Sequence, residues 1–241
     1  MIDIHFHCLP GIDDGPGNWD DAVALCKAAA DEGTTTIVAT PHVLREPWLN
    51  EDRAERDRLL VRLNALLGGK PAIVPGCEYF FAAEVLDLWD RGSEGPLVGL
   101  NRGSALLIEF PSYAVPINAE FLFHELSVMN VQVVIAHPER NGELAHNPER
   151  LEALCAKGAV TQITAGSLLG EFGRAALAAA EEFHRRGLVH TIASDAHSLS
   201  RRPPRMAAAR RWVEKRWGSA KAIELFESNV EAVTRAGIVV P

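Results

Sequence analysis

The chain lacks what several common protein classes require. Its 24 Lys and Arg are outnumbered by 32 Asp and Glu, for a formal charge of −8. Without a basic excess it is not expected to bind nucleic acid or membrane surfaces generally, although a local basic cluster could still hold an anion. No apolar run is long enough to span a membrane. The strand-like start MIDIHFH is not a basic segment leading into an apolar one, so no export signal is read and a cytoplasmic location is expected. There are four cysteines, Cys8, Cys26, Cys77 and Cys155, and none forms a C-x-x-C pair. None has an arginine six residues later, so the C-x5-R phosphate loop is absent. All four fit small buried hydrophobes in a reducing compartment. No Gly-x-Gly-x-x-Gly or P-loop pattern follows a strand candidate, which weakens a nucleotide-binding reading. No repeat, low-complexity tract or linker divides the 241 residues, so residues 1–241 are expected to form a single domain with a core of their own.

What is present is a regular alternation. Short apolar, β-branched runs recur at Ile2–Phe6, Thr35–Ala39, Ala72–Pro75, Ala105–Ile108, Val131–Ala136, Val160–Thr164 and Val189–Ala193, and each reads as a buried strand. Helical patterns lie between them. One starts after an Asn18 cap and stops at Gly33; a second begins near Asn50 and ends at Gly68-Gly69. Others are expected near Pro116–Asn130, Asn147–Lys157, Leu168–Arg186 and Pro203–Trp217, with a last one from Ser219. Strand and helix therefore alternate every thirty residues or so, as βα units do, which implies an α/β barrel or a doubly wound sheet.

Six of the seven strand candidates finish in His, Asp or Glu. His5 and His7 end the first, with Asp13-Asp14 in the turn beyond; His42, Glu78, Glu109 and His137 follow the next four, and Asp195 and His197 the last. Only the strand ending in Thr164 offers no ligand. All these groups fall at the carboxyl ends, where α/β folds build their sites. The two-residue period puts His5 and His7 on one face and Ile4 and Phe6 on the other. The same period would bring Asp195 and His197 together if the strand continued through Ser194. A carboxylate such as Glu109, closing the apolar run LLIEF, needs a partner.

The donors are His5, His7, His42, His137, His197, Glu78, Glu109, Asp195 and Asp14, with Asp13 an equal alternative on spacing alone. One catalytic ion takes about three protein ligands, so this set suits two or three ions. Imidazole and carboxylate without thiolate fit zinc, iron or manganese. His124, His146, His184 and His190 read as solvated or structural. Asp3 shares the face of His5 and His7 one pleat lower, where it could orient a histidine.

D-I-H-x-H, L-P-G-I-D-D-G, T-P-H, G-x-E, I-E-F, A-H-P-E-R and S-D-A-H, in this order over nearly the whole chain, resemble the PHP (polymerase and histidinol phosphatase) superfamily. The likeness is to its bacterial metal-dependent tyrosine-protein phosphatase branch, linked to capsule and exopolysaccharide synthesis. The resemblance implies a distorted (β/α)7 TIM-like barrel and a trinuclear cluster of divalent or trivalent ions, with manganese favoured. By motif, His5, His7, Glu78 and Asp195 would hold one ion, Glu78, Glu109 and His137 a second, and Asp14, His42 and His197 a third. Arg140 resembles the family's phosphate-binding arginine. Arg202 is chosen as the second, with Arg201 and Arg205 competing because S-L-S-R-R-P-P-R departs from the family pattern. The reaction implied is attack of a metal-bound hydroxide on phosphorus without a phospho-enzyme. The implied partner is a phosphotyrosine protein, the tyrosine-rich tail of a bacterial polysaccharide-synthesis kinase. The alternative is a small-molecule phosphatase acting on a compound such as histidinol phosphate. A non-phosphate metal hydrolase of amidohydrolase type and a non-catalytic binding module are more distant readings.

Overall fold

The computed structural model describes residues 1–90, 92 and 95–235, so the last six positions of the expected domain lie outside it. The first βα unit runs from β1 (Ile2–Phe6) into α1 (Trp19–Asp31), where the Asn18 side chain accepts from the Asp21 N–H as expected. Next come β2 (Thr36–Ala39), β3 (His42–Val43), α2 (Arg53–Leu67), β4 (Ala72–Pro75), β5 (Glu78–Phe80) and α3 (Val85–Asp90). They are followed by β6 (Ala105–Glu109), α4 (Ala119–Val128), β7 (Gln132–Ala136), α5 (Gly142–His146), α6 (Pro148–Cys155) and β8 (Val160–Thr164). The described chain closes with α7 (Ala165–Leu168), α8 (Gly173–Arg185), β9 (Thr191–Ala193), α9 (Met206–Arg216), α10 (Ser219–Ile223) and α11 (Asn229–Thr234).

The strands form two parallel sheets, ordered β1-β2-β4 and β3-β5-β6-β7-β8-β9. They are halves of one ring. Proline has no N–H to give a ladder, and Pro41 separates β2 from β3 as Pro75 ends β4 before β5. Each pair of segments is one interrupted stave, which leaves seven staves. On the far side β9 meets β1 through Asp195 N to His5 O and His7 N to Ala196 O, both 2.9 Å. The expected α/β barrel is therefore the observed architecture. The interruptions matter because His42 and Glu78, expected just after the second and third strands, themselves start β3 and β5 and pair with each other in register.

Two helical expectations change. The helix expected from Leu168 starts only at Gly173, as α8; Leu168 instead ends the short α7, and between them Gly170 takes a φ of 80° that other residues resist. The helix expected from Asn50 starts at Arg53 as α2, where Leu63 and Leu67 are buried and Leu66 is half exposed. The barrel wall packs against its helices through buried Val, Ile, Leu and Phe, and a separate cluster joins Ile4, Val38, Leu107, Val134 and Ala193 to Val230 and Val233 of α11. Cys8, Cys26 and Cys77 are buried and Cys155 half-buried, all as free thiols. No helix among the described residues is long and apolar enough to cross a membrane.

Candidate metal centre

The carboxyl ends of the staves bring all nine expected donors together. Glu78 stands at the middle. Its Oε2 lies 3.3 Å from both His5 Nε2 and His7 Nε2 and 3.0 Å from His42 Nδ1, and its Oε1 lies 2.9 Å from His137 Nε2. Asp195 Oδ1 is 3.2 Å from His5 Nε2. Asp14 Oδ1 is 3.1 Å from His197 Nε2 and 3.4 Å from His42 Nε2. Among the described residues four overlapping sets have their donor atoms within 4.8 Å of one another: His7, Asp14, His42 and His197; His5, His137 and Asp195; His5, His7 and Glu78; His42, Glu78 and Glu109. The first matches a set implied by the resemblance, with His7 added. The others share His5, His42 and Glu78 differently, with His137 beside Asp195 and His42 beside Glu109.

Two of these groups depend on backbone that leaves the strand. Asp195 sits at φ 54° and His137 at φ 33°, the left-handed region that non-glycine residues rarely adopt. Asp195 and His197 are neighbours as expected, but the strand ends at Ala193, and it is this turn that folds His197 back so that its Nδ1 meets the Asp195 carbonyl at 2.9 Å.

Burying so many ionisable groups polarises them. Burial opposes charge on His5 and His42, but Glu78 with Asp195 outweighs it at His5 and Glu78 with Asp14 at His42, raising them to about 9 and about 10. Burial with Arg140 nearby holds His137 down to about 4, and burial with His7 nearby does the same to His197. Burial and repulsion from Glu78 lift Glu109 to about 7. His42 Nδ1, Glu109 Oε2 and His197 Nε2 are buried without a directed hydrogen bond. Unsatisfied buried polar atoms are costly. Orphaned imidazole nitrogens and carboxylate oxygens facing one another fit one or more divalent ions.

The D-D-G turn divides its labour. Asp14 faces the imidazoles of His42 and His197, whereas Asp13 Oδ2 takes His7 Nδ1 at 2.7 Å and Oδ1 takes the Gly15 N–H at 2.9 Å. A Cβ on Gly15 would lie 2.9 Å from both Asp13 Oδ1 and His7 O, so only glycine lets the turn press on His7. Asp3 does not hold an imidazole. Its Oδ1 accepts the backbone N–H groups of Ser194 at 3.0 Å and His5 at 3.4 Å, tying β1 to the end of β9.

The group that holds His5 comes from the strand that offered no ligand. Gln162 on β8, fully buried, places Oε1 2.8 Å from His5 Nδ1. With Nδ1 donating to that amide oxygen, the ring is oriented so that Nε2 is the atom that faces Glu78 and Asp195. A glutamine inside a strand reads as an ordinary polar residue, so no sequence signal marked it. Gln162→Leu is expected to weaken metal binding about 10- to 100-fold, measured by competition with a chelator. Unchanged affinity would remove Gln162 from the site.

Of the three loop arginines, the structure brings Arg202 in. An antiparallel bridge between Ser198 and Arg202 turns the loop back, and Arg202 Nη2 reaches Asp195 Oδ1 at 2.8 Å. Arg205 pairs with Glu171 instead, and Arg201 is exposed. Arg140 Nη1 donates to Asp195 Oδ2, and its guanidinium lies over Phe172, 4.6 Å from the ring centre. A cavity of about 90 Å³ opens beside it, lined by Glu109, Phe110, Ser112, His137 and Asn141 among others. His124, His146, His184 and His190 stay outside the cluster; His184 stacks on Trp217 and His190 caps the edge of β8 at Thr161.

Fold and donors together define the class, a parallel α/β barrel with a metal-binding mouth. The chain belongs to the capsular polysaccharide synthesis family CpsB/CapC, whose pattern matches residues 1–235. It is 41% identical over 240 residues to the tyrosine-protein phosphatase YwqE of Bacillus subtilis (strain 168), covering 98% of this chain and 92% of that one. It is 32% identical over 236 residues to the tyrosine-protein phosphatase CpsB of Streptococcus pneumoniae, covering 95% and 96%. A solved structure from work on YwqE and CpsB, described as unique metal-dependent tyrosine phosphatases, superposes with a TM-score of 0.91 at 39% identity, covering 99% of this chain and 96% of that one. The resemblance to the tyrosine-phosphatase branch read from the motifs is borne out.

Proposed function

We propose that this chain is a metal-dependent tyrosine-protein phosphatase that hydrolyses phosphotyrosine on a protein partner, the tyrosine-rich tail of a bacterial polysaccharide-synthesis kinase, in the cytoplasm. Residues 1–241 act as one domain. The observation that carries the reading is the convergence of five imidazoles and four carboxylates with two guanidiniums at one barrel mouth. His5, His7, Asp14, His42, Glu78, Glu109, His137, Asp195 and His197 hold two or three ions, with manganese preferred over iron or zinc. Bound there, such ions supply positive charge to phosphate oxygens and a water with its pKa lowered towards about 7.

The chain's own residues do the rest. Asp13 and Gln162 fix the ring orientations of His7 and His5, so no reorganisation is needed when substrate arrives. Arg140 and Arg202 present planar forks that match a phosphoryl group better than a lysine could. Tyrosinate, from a phenol of pKa about 10, leaves with little help from a general acid. No thiol takes part.

The test is a comparison of substrates by the metal-loaded enzyme. Turnover of a phosphotyrosine peptide is expected to exceed that of histidinol phosphate at least about tenfold and to vanish with a chelator. Preference for histidinol phosphate would assign the small-molecule activity instead, and chelator-resistant turnover would remove the metals from the chemistry.

A further inference from the structure

A third guanidinium stands at the mouth. After β3 the chain makes a short hairpin, closed by Leu44 N to Leu49 O at 3.0 Å and Arg45 N to Trp48 O at 3.3 Å. Asn50 anchors its base, donating from Nδ2 to the carbonyls of Ile12 and His42, each at 2.8 Å. The hairpin lays Trp48 flat against the His42 ring, 5.5 Å between centroids at 14°. Arg45 is thereby held with Nε 3.3 Å from Glu109 Oε2 and Nη1 2.7 Å from His42 Nε2, and its side chain keeps 29% of its surface in solvent. Its guanidinium carbon lies 5.7 Å from the centre of the Trp48 ring, within cation–π range.

Position in the ring gives this arginine its meaning. Glu109 closes β6 and Asp195 follows β9; the strand order puts these two staves on opposite sides of the barrel. Arg140 and Arg202 lean on Asp195, and Arg45 leans on Glu109 in the same way. A phosphate monoester dianion presents three free oxygens spread around phosphorus, so guanidiniums on more than one wall can face it. We propose that Arg45 is a substrate-binding residue that grips the phosphoryl group from the wall opposite Arg140 and Arg202, with Trp48 as its backing. This rests on the phosphatase reading above.

A phosphate-gripping Arg45 and a merely structural one differ in what their removal does to metal binding. Arginine stays charged at any working pH. Its Nη1 lies on the His42 nitrogen that also faces Asp14, and its Nε on a Glu109 oxygen, so it competes with any cation for those donors. Removing Arg45 therefore weakens anion binding while leaving cation binding unchanged or tighter. A residue that merely held His42 and Glu109 in place would change metal binding in the opposite direction.

The experiment uses the metal-loaded protein and two measurements that need no turnover. Titration calorimetry with inorganic phosphate is expected to show binding about tenfold weaker in Arg45→Ala. Chelator competition is expected to show metal affinity equal to or above the parent. Arg45→Lys, with the charge but not the fork, should recover phosphate binding only in part. Unchanged phosphate affinity in Arg45→Ala overturns the proposal, and so does loss of metal from that variant. A parent enzyme that binds phosphate through Arg45 yet fails to cleave a phosphotyrosine peptide would count against the substrate assignment alone.

Discussion

Glu78→Ala is expected to strip the mouth of most of its metal and to lower kcat/KM on a phosphotyrosine peptide by on the order of 10³-fold or more. Among the described residues no other side chain reaches so many donors. Its two oxygens face His5, His7, His42 and His137 at 2.9–3.3 Å. Burial works against charge on Glu78, but His5 and His42 outweigh it and hold the carboxyl far below the usual carboxylate range. The same carboxylate is what lifts His5 and His42. Without it, the His5–His7 and His42–Glu109 donor sets both lose the carboxylate they share, and the four imidazoles keep Asp195, Asp14 and Glu109, each of which reaches fewer of them. Glu78→Gln separates charge from shape: it keeps the side-chain outline, so a comparable loss of metal would assign the effect to charge. Elemental analysis beside steady-state kinetics measures both. A variant with full metal and full activity would refute the central role of Glu78.

Arg140→Ala is expected to give the converse pattern, kcat/KM down about 10²- to 10³-fold with metal content intact. Arg140 carries no donor for a cation. Its hydrogen bond to the cluster is the one it donates to Asp195 Oδ2. When it is removed, Asp195 keeps Arg202 at 2.8 Å and His5 at 3.2 Å, so the carboxylate is not left unpaired in the interior. The loss therefore falls on the charge that a phosphoryl group develops in the transition state. Arg140→Lys should lie between the two, because an ammonium keeps the charge but not the bidentate geometry. Kinetics near those of the parent in Arg140→Ala would take this residue out of the phosphate site.

The two variants together separate the halves of the site. The proposed roles, Glu78 on the cations and Arg140 on the anion, predict that one loses metal with activity and the other activity alone. His5→Ala and Asp195→Ala belong with Glu78, since each places its donor atom among those of the cluster.

The sequence by itself determined the staves and the inventory. Strand period and the rule that α/β sites form at carboxyl strand ends are local properties, legible in a few residues at a time. They were sufficient for His5, His7, Glu109, His137 and Asp195, and the D-D-G turn narrowed the next donor to Asp13 or Asp14. Tertiary structure decided what depends on distance between staves. Which aspartate faces the imidazoles follows from Asp13 being spent on His7 Nδ1 and the Gly15 N–H. Arg202 rather than Arg201 or Arg205 enters because the Ser198–Arg202 bridge folds the loop back. Gln162 and Arg45 were illegible for one physical reason. Each acts on a donor carried by another stave, and a neutral amide in β8 or an arginine in a hairpin has no local pattern until the barrel closes around it.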